Sequence, residues 1–279
     1  MEEKAVLTKK ITKTALAKGL GISRQSLYYQ KKQPLLDEEV KRQIEAVLSD
    51  HPAYGHKRIA LELKLNKKRI LRVMKKFGIK PYRPHARVLR KEEDKGPAAV
   101  ENAINIYQRL CPIRPNVVWV SDFTYIKYRG KFIYVATIMD MYTREIIGIA
   151  ISRFHDKNLV MEAFMDGEKT TGTAPIYLHS DQGSEYTSDE YKTYVTAKQL
   201  ILSFADKASP WQNGFQESFY GKFKVDLGEV SRFETRGELI EAIHQTIHYY
   251  NHKRKHTTLK MSPVEFKFLY QERSHKAFV

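Results

Sequence analysis

An acidic residue at the centre of an apolar, strand-like run is the feature that most limits how this chain folds. The run VVWVSDFTYI (117–126) is rich in β-branched and aromatic residues, which favour a β-strand. Because side chains alternate along a strand, Asp122 shares one face with Val120 and Thr124. A carboxylate among apolar neighbours costs stability unless it is paired. The run therefore predicts a core strand on which Asp122 has a chemical role.

A second acidic residue, Asp181, follows a shorter apolar run. The segment APIYLHSDQGSEY (174–186) predicts a strand that ends near Asp181, and Gly183 permits a tight turn behind it. A gap of 35 residues then separates Asp181 from Glu217. Together with Asp122, these residues form the pattern D…D-x35-E. Phosphoryl-transfer sites with two divalent metals require such carboxylates from distant parts of a chain.

Glu217 lies in a segment with the signals of a helix, SPWQNGFQESFYGKFKVDL (209–227). Ser209 is a favourable amino-terminal cap, and Pro210 fits the first helical position. Gln212 completes an S-x-x-Q capping box with the cap residue. We therefore expect a helix over residues 210–226.

The predicted helix has two distinct faces. Its apolar stripe has the spacing i, i+4, i+8 and consists of Phe215, Phe219 and Phe223. At about 100° per residue, Glu217 lies roughly opposite this stripe. Asn213 and Lys224 fall near the face of Glu217. We expect the stripe to enter a core, Lys224 to contact a DNA phosphate, and Asn213 either to contact DNA or to pack inside the protein.

Three clustered carboxylates repel one another, so without a cation at least one of them would tend to bind a proton. Mg2+ and Mn2+ prefer oxygen ligands and remove this conflict. Two such ions about 4 Å apart can activate a water or a 3′-hydroxyl and stabilise the leaving oxygen. We therefore expect Asp122, Asp181 and Glu217 to be catalytic and to bind two Mg2+ (or Mn2+) ions. The alternative is that they are ordinary members of a set of 32 acidic residues.

Positive charge is concentrated in the amino-terminal third. The chain has a formal net charge of +16, and residues 1–96 contain 25 Lys and Arg against 11 Asp and Glu. A basic region of this kind is typical of proteins that bind nucleic-acid phosphates. Improved solubility is the alternative explanation, but it does not account for the asymmetry.

Two segments of this basic region have helix-turn-helix-like patterns. In residues 14–32, Ser23 is the expected cap of a second helix that presents base- or phosphate-reading side chains, namely Arg24, Gln25 and Ser26. In residues 54–79, Asn66 is the expected cap of a very basic helix whose candidate DNA contacts are Lys67, Lys68, Arg69 and Arg72. Any small three-helix bundle can imitate this pattern. An amphipathic helix over 35–50 is expected to connect the two.

The order of the predicted elements indicates an α/β fold with a mixed sheet flanked by helices, preceded by an all-α region. We expect strands over 117–126, 131–140, 144–152, 175–180 and 200–205, and helices over 98–110, 157–170, 188–198, 210–226 and 235–251. The expected divisions are a helical DNA-binding region (1–80), a linker and connecting helix (81–110), a catalytic core (111–230) and a basic helical tail (231–279).

Three segments around the acidic residues resemble the catalytic blocks of retroviral-integrase-like DDE transposases: WVSDFTYI, LHSDQGSEY and SPWQNGFQESFYGKFK. Lys224, seven residues after Glu217, belongs to that pattern. The ending YYNHKRKHTTLKMSPVEF (249–266) is similar to the tail of bacterial insertion-sequence transposases. The chain thus resembles the OrfB product of the insertion-sequence-three family, in its one-fifty-like branch.

This resemblance implies a ribonuclease-H-like catalytic core and a DNA transposase. Such an enzyme cleaves a strand at the end of its element and uses the freed 3′-hydroxyl to attack another phosphodiester. The implied partners are double-stranded DNA, as terminal inverted repeats and as target, a second copy of the chain on DNA, and an upstream helix-turn-helix protein or frameshift fusion partner. Tail residues Lys253, Arg254 and Lys255 are candidate DNA contacts. A DNA-binding regulator with an inactive core and a ribonuclease-H-type nuclease without strand transfer are the alternatives.

Several other residues have two possible roles. Trp211 either stacks on a base or anchors the core. The histidines that recur every four residues suggest an exposed helix face or, less readily, a zinc site: His244, His248, His252 and His256. His179 is expected to support the site, to contact DNA or to pack. Asp140 is expected to form a turn, with a fourth acidic residue of the metal site as the alternative.

The sequence also bears on the compartment. The single Cys111 argues against a disulfide framework and for a reducing compartment. The sequence has neither a signal-peptide pattern nor an 18-residue apolar run, so we expect no membrane partner. The resemblance adds a bacterial cytoplasmic location, with association to the nucleoid when the protein is bound to DNA.

Overall fold

The computed structural model describes residues 12–28, 33–83, 105–106, 111–206 and 210–276. Its amino-terminal region is helical, as expected. The helices are α1 (Lys13–Gly19), α2 (Gln33–Asp50), α3 (His56–Glu62) and α4 (Lys67–Lys76), with a 3-10 helix at Arg24–Tyr28. None of the helices within the described ranges has the length and apolar character needed to cross a membrane.

The two helix-turn-helix-like patterns differ in how well their apolar side chains are buried. In the second, α2, α3 and α4 surround an apolar core that includes Ile44, Ile59 and Ile70, and the side chain of Asn66 caps α4 by accepting the Lys68 N–H at 2.8 Å. In the first, α1 is followed by the 3-10 helix, where an α-helix was expected. Ala17 is buried on α1, but the larger side chains around it are exposed: Leu16, Leu20 and Ile22.

A five-stranded mixed sheet forms the centre of the remaining chain. Its strands are β1 (Val118–Tyr128), β2 (Lys131–Asp140), β3 (Ile146–Ser152), β4 (Tyr177–Ser180) and β5 (Ile201–Phe204), in the spatial order β3-β2-β1-β4-β5. The first three strands pair antiparallel, whereas β4 and β5 run parallel to β1. The five expected strands are therefore confirmed, with ends that differ by at most two residues.

Helices cover one face of the sheet through the core that contains Trp119, Ile138 and Leu178. They are α5 (Lys157–Thr171), α6 (Ser184–Thr187) and α7 (Asp189–Thr196). Gly148 on β3 allows the close approach of α5, because a Cβ atom there would overlap the carbonyl oxygen of Ala163. One helix was expected over 188–198. This expectation is confirmed by α7, which Ser188 caps, and α6 is an additional short helix that ends before the extended Ser188.

The opposite face is covered by α8 (Gly214–Leu227) and α9 (Arg236–His252), and α10 (Pro263–Lys276) packs beside α9. The expected start of α8 needs a correction. Residues Pro210–Asn213 form a 3-10 helix, and the side chain of Gln212 binds Asn105 and Asp206 and does not complete a capping box. Its expected partner Ser209 lies outside the described residues, as does most of the expected helix over 98–110.

Candidate active site

The sheet register brings Asp122 and Asp181 to neighbouring positions. Strands β1 and β4 are parallel, with Val120 opposite His179. Two residues further along the strands, Asp122 lies within β1 and Asp181 directly follows the end of β4, so the two residues are side by side. Neighbouring strands lie about 4.8 Å apart. The expectation that these two carboxylates converge agrees with the register.

Backbone donors hold both carboxylates. The Oδ1 atom of Asp122 accepts the N–H of Phe123 at 2.8 Å, and the Oδ1 atom of Asp181 accepts the N–H of Gly183 at 3.0 Å. The turn at Gly183 is tight, because a Cβ atom there would lie 3.1 Å from Asp181 Oδ1 and 2.8 Å from Glu185 Oε2. Glycine thus lets the chain turn against two carboxylates immediately after β4.

Helix α8 is fixed over the Asp122 face by buried hydrogen bonds. The Gln216 amide donates to the carbonyl oxygens of Val120 (2.7 Å) and Thr137 (3.2 Å). One turn later, the Tyr220 hydroxyl donates to the carbonyl oxygen of Asp122 at 2.7 Å. Glu217, next to Gln216, is exposed in the first turn of the helix. The predicted stripe is confirmed in Phe219 and Phe223, which are buried, and in Phe215, which packs against the same core.

The negative charge of the two aspartates affects the buried phenols on both sides of the sheet. Burial raises the pKa of Tyr186 far above its usual range, and the charges of Asp122 and Asp181 raise it further. The pKa of Tyr220 on α8 is raised for the same reasons. Both hydroxyls therefore stay protonated beside the carboxylates. The Tyr220 hydroxyl donates to the carbonyl oxygen of Asp122, whereas the Tyr186 hydroxyl accepts from Ser121 Oγ at 3.0 Å. Neither tyrosine was singled out in the sequence.

Lys224 lies on the same side of α8 as Glu217. Its Nζ atom is 5.3 Å from the centre of the Tyr125 ring, within cation–π range. Burial lowers the pKa of Lys224, and the charge of Asp122 opposes that shift. We call the edge of the sheet that carries Asp122 and Asp181 the acidic edge. Lys224 is close enough to this edge to interact electrostatically with the carboxylate of Asp122.

The oxygen ligands of this edge match the preference of Mg2+ and Mn2+. Among the residues that the structure describes, no three His, Cys, Asp or Glu side chains are close enough together to form a ready-made metal site. The β1–β4 register places Asp122 next to Asp181, and Glu217 lies in the first turn of α8, the helix that packs over the Asp122 face. This edge of the sheet therefore has two neighbouring carboxylates, Asp122 and Asp181, and a third carboxylate, Glu217, lies on α8.

A chain of buried hydrogen bonds close to Asp181 connects β4 and β5 to the 3-10 helix before α8. The Ile106 N–H donates to Ser203 Oγ at 3.1 Å, and Ser203 Oγ lies 2.8 Å from His179 Nδ1. The other ring nitrogen of His179 lies 3.2 Å from the Gln212 carbonyl oxygen, so Nε2 carries the proton. Burial lowers the pKa of His179 to about 4. The neutral histidine thus ties β4 and β5 to the turn that precedes α8, a supporting role.

Another pair next to Asp181 was missed in the sequence. The Nδ1 atom of His155 lies 2.7 Å from Oε1 of Glu185, which is buried in the helix that begins just after Gly183. The spacing between the two residues gives no hint of this contact, because α5 and β4 intervene. Only the SDQGSE sequence around Glu185 could have drawn attention to it.

The tail residues Arg254 and Lys255 pair with acidic residues of the protein, and the burial of Arg254 contradicts its predicted contact with DNA. The Arg254 side chain is 3% exposed, and its Nε lies 3.1 Å from Asp226 Oδ2 on α8. Lys255 Nζ lies 3.2 Å from Glu62 Oε2 on α3. These two pairs join the second helical unit to the core. Tyr54 takes part as well, because its hydroxyl accepts the Lys255 N–H at 2.8 Å. The Lys255 side chain remains 24% exposed, so its contact with DNA stays a prediction.

Of two further candidate DNA contacts, Arg72 stays a prediction and Asn213 needs a correction. Arg72 forms two hydrogen bonds, at 2.9 and 2.6 Å, with the buried carboxylate of Asp37 on α2, so it stabilises the bundle, but its side chain remains 47% exposed. Its neighbours lower the pKa of Asp37 far below the usual range, Arg72 most strongly and Lys76 next. Asn213 is 6% exposed at the end of the 3-10 helix, which favours the packing role over contact with DNA.

The remaining candidates are accessible or undescribed. Exposed side chains are Arg24, Gln25, Ser26, Lys67, Lys68 and Lys253, and Arg69 is partly exposed. The Trp211 side chain lies outside the described part of the chain. Exposed histidines His244, His248 and His252 follow one face of α9, whereas His256 is half-buried beyond it. Asp140 forms a turn as expected, because its Oδ1 accepts the N–H groups of Tyr142 and Thr143.

Comparison with known proteins gives a consistent result. The integrase core domain family matches residues 112–210 and, through a second integrase core domain family, residues 199–263. The transposase of insertion sequence element IS904 from Lactococcus lactis is 32% identical over 84% of this chain and 96% of its own length. The putative transposase InsK of IS150 from Escherichia coli is 28% identical over 90% of this chain and 92% of its own length.

One solved structure supports the fold. A chain of the simian T-cell lymphotropic virus intasome, solved by cryo-electron microscopy, is 14% identical and superimposes with a TM-score of 0.51. The match covers 81% of this chain and 74% of that chain. At this identity the similarity concerns the fold, which is the mixed sheet flanked by helices that was expected.

Proposed function

Because the chain belongs to the insertion-sequence transposases that contain an integrase core domain, we propose that it binds the ends of a DNA element, cleaves a strand there and joins the freed 3′-hydroxyl to another phosphodiester. The observation that best supports this chemistry is the register of β1 and β4, since it sets Asp122 beside Asp181 beneath the helix of Glu217. Carboxylates on three separate elements suit in-line phosphoryl transfer.

In this proposal, Asp122, Asp181 and Glu217 would hold two divalent ions, Mg2+ or Mn2+. When bound, such ions supply charge stabilisation for the entering and leaving oxygens. The protein residues would position and orient the carboxylates that hold these ions. Gly183 and Phe123 orient the two aspartates through their backbone N–H groups.

Helix α8 would set the third carboxylate. Gln216 anchors the first turn of α8 to β1 and β2, so the neighbouring Glu217 has a defined position relative to the sheet. Lys224, two turns further, would bind a DNA phosphate next to the reacting one. Its ammonium group donates hydrogen bonds and does not serve as a base.

The other regions would handle DNA. We propose that residues 1–80 recognise the element ends, that 81–110 connect them to the core of 111–230, and that 231–279 form the tail. Exposed cations on α4, Lys67 and Lys68, would contact phosphates. The protein would act as a homo-oligomer on DNA in the bacterial cytoplasm, alone or with an upstream helix-turn-helix partner.

A strand-transfer assay tests this function. The full chain is incubated with oligonucleotide duplexes that carry the terminal repeats flanking its gene, with Mg2+, Mn2+ or chelator. We expect cleavage and joining that depend on the metal, and loss of both in Glu217→Gln. The matched control is Glu241→Gln, an exposed glutamate on α9 that should behave as wild type.

Three results would contradict the proposal or part of it. Cleavage without joining would indicate a ribonuclease-H-type nuclease. Repeat-specific binding without metal-dependent cleavage would indicate a regulator with an inactive core. Equal activity of the Glu217→Gln and wild-type proteins would remove Glu217 from the catalytic set.

A further inference from the structure

A continuous row of aromatic rings lies on the sheet face opposite Asp122. We define the aromatic row as Phe123, Tyr125, Phe132, Tyr134 and His155. Ring centres are 5.2 Å apart for Tyr125 and Phe132, and 6.3 Å for Phe132 and Tyr134. His155 closes the row, 4.9 Å from Tyr134 and stacked on Phe123 at 6.0 Å.

The rings of the aromatic row differ in their exposure to solvent. Phe123 and Tyr134 pack against the core beneath α5, but Tyr125 is 39% and Phe132 44% exposed. Side chains on adjacent strands share a face with their cross-strand partners, and Lys127 pairs with Phe132. An exposed lysine therefore flanks the exposed rings.

Both ends of the aromatic row contact elements of the candidate active site. At one end, His155 binds Glu185 in the helix that follows Asp181. At the other end, the Lys224 ammonium lies over Tyr125, at the part of β1 that extends beyond the end of β4. The row therefore extends from the Asp181 turn to the lysine of the Glu217 helix.

We propose that the aromatic row binds unpaired bases of the DNA strand next to the reacting phosphodiester. This inference rests on the proposed function and names a further part of the DNA site. Exposed rings bordered by cations are the usual surface for single-stranded nucleic acid, because bases stack on the rings while lysines contact phosphates. The pairing of Lys224 with Tyr125 combines both interactions in one place.

Charge favours nucleic acid over a second copy of the chain as the occupant. In a two-fold dimer built on this face, the same surface would meet itself. Lys127 and Lys224 would then approach their own counterparts, and like charges repel. A polyanion turns the same cations into favourable contacts.

The test compares binding of two DNA probes by the full chain in chelator. One probe is a blunt duplex, and the other is the same duplex with a 3′ tail of eight thymidines. We expect Tyr125→Leu and Phe132→Leu to weaken binding of the tailed probe about tenfold, the effect of losing one stacked base. Binding of the blunt probe should change less than twofold, and Tyr125→Phe should restore the preference for the tail. Phe268→Leu, which alters a 59% exposed ring on α10, is the matched control.

Each outcome decides the inference. Equal binding of the tailed probe by the wild-type and leucine variants would overturn it. So would a shift from dimer to monomer in sedimentation of the leucine variants, because the row would then be an interface between copies. The binding assay needs no catalysis. A wild-type protein that binds the tail through the row but joins no strands would overturn the proposed function alone.

Discussion

Lys222 and Lys224 lie two positions apart on α8, yet they face opposite environments. A separation of two residues rotates the side chain by about 200° around a helix. The Lys224 ammonium lies over the Tyr125 ring and interacts electrostatically with Asp122 at the acidic edge of the sheet. Lys222 points to the junction with the amino-terminal helices, where burial, together with the cations Arg58 and Arg254, lowers its pKa to about 8.

The difference teaches how similar side chains acquire different roles. At the acidic edge, the carboxylates of Asp122 and Asp181 are accessible and are oriented by backbone donors. At the junction, the Asp226 carboxylate is buried, and burial raises its pKa although Arg254 and Arg58 oppose the shift. Groups at the accessible edge can exchange partners with a substrate, whereas those at the junction hold two parts of the protein together.

The largest expected effect is at the acidic edge. Asp181→Asn should reduce strand cleavage and transfer to below about 1% of wild type, because removing one member of a catalytic unit costs several orders of magnitude. Its unfolding curve should match that of the wild type. Asp189→Asn, an exposed aspartate on α7, is the control. Residual activity above about 1% would contradict the assignment.

The second prediction concerns stability at the junction. Asp226→Asn should lower the free energy of unfolding by about 3 kcal/mol, because it leaves the buried Arg254 without its counter-charge. Glu39→Gln breaks the exposed pair with Arg42 on α2 and should cost less than about 0.5 kcal/mol. Urea unfolding of both variants measures the contrast. Equal losses of the free energy of unfolding in the two variants would mean that the Asp226–Arg254 pair contributes no more to stability than the exposed Glu39–Arg42 pair.

The third prediction separates the two lysines directly. Lys224→Ala should lower strand transfer about tenfold through poor placement of DNA, Lys224→Arg should retain partial activity, and Lys224→Glu should be worst. Lys222→Ala should stay within about twofold of wild type. Rates for all four variants at low and moderate salt give the comparison. Wild-type rates for Lys224→Glu would show that α8 presents another face to DNA.

The smallest effect is a pH dependence at the junction. The pKa of Lys222 is about 8 in the folded protein, below its usual 10.5. Between these values the unfolded chain binds more protons, so stability should rise with pH. We expect a gain of about 1 kcal/mol from pH 7.5 to 9.5, after discounting for solvent screening. Lys222→Arg should lose the gain, because a guanidinium does not titrate in this range. An unchanged gain in the variant would assign it to another group.

The sequence by itself determined the local secondary structure and which strand or helix carries each of the acidic residues Asp122, Asp181 and Glu217. Alternation around Asp122 predicted its strand and face, and the phenylalanine spacing predicted which side of α8 enters the core. Local signals suffice there because strand and helix periodicities are short-range properties. The cap at Asn66 and the turn at Asp140 were predictable for the same reason.

Only the tertiary structure decided which cations pair with acidic residues of the protein itself. Arg72 and Arg254 look like other basic residues in the sequence, but their acidic partners lie far away along the chain, at Asp37 and Asp226. The pairing of His155 with Glu185 and the aromatic row likewise depend on strand register and helix packing. A side chain's burial and partners are set by long-range contacts, which short-range sequence patterns do not contain.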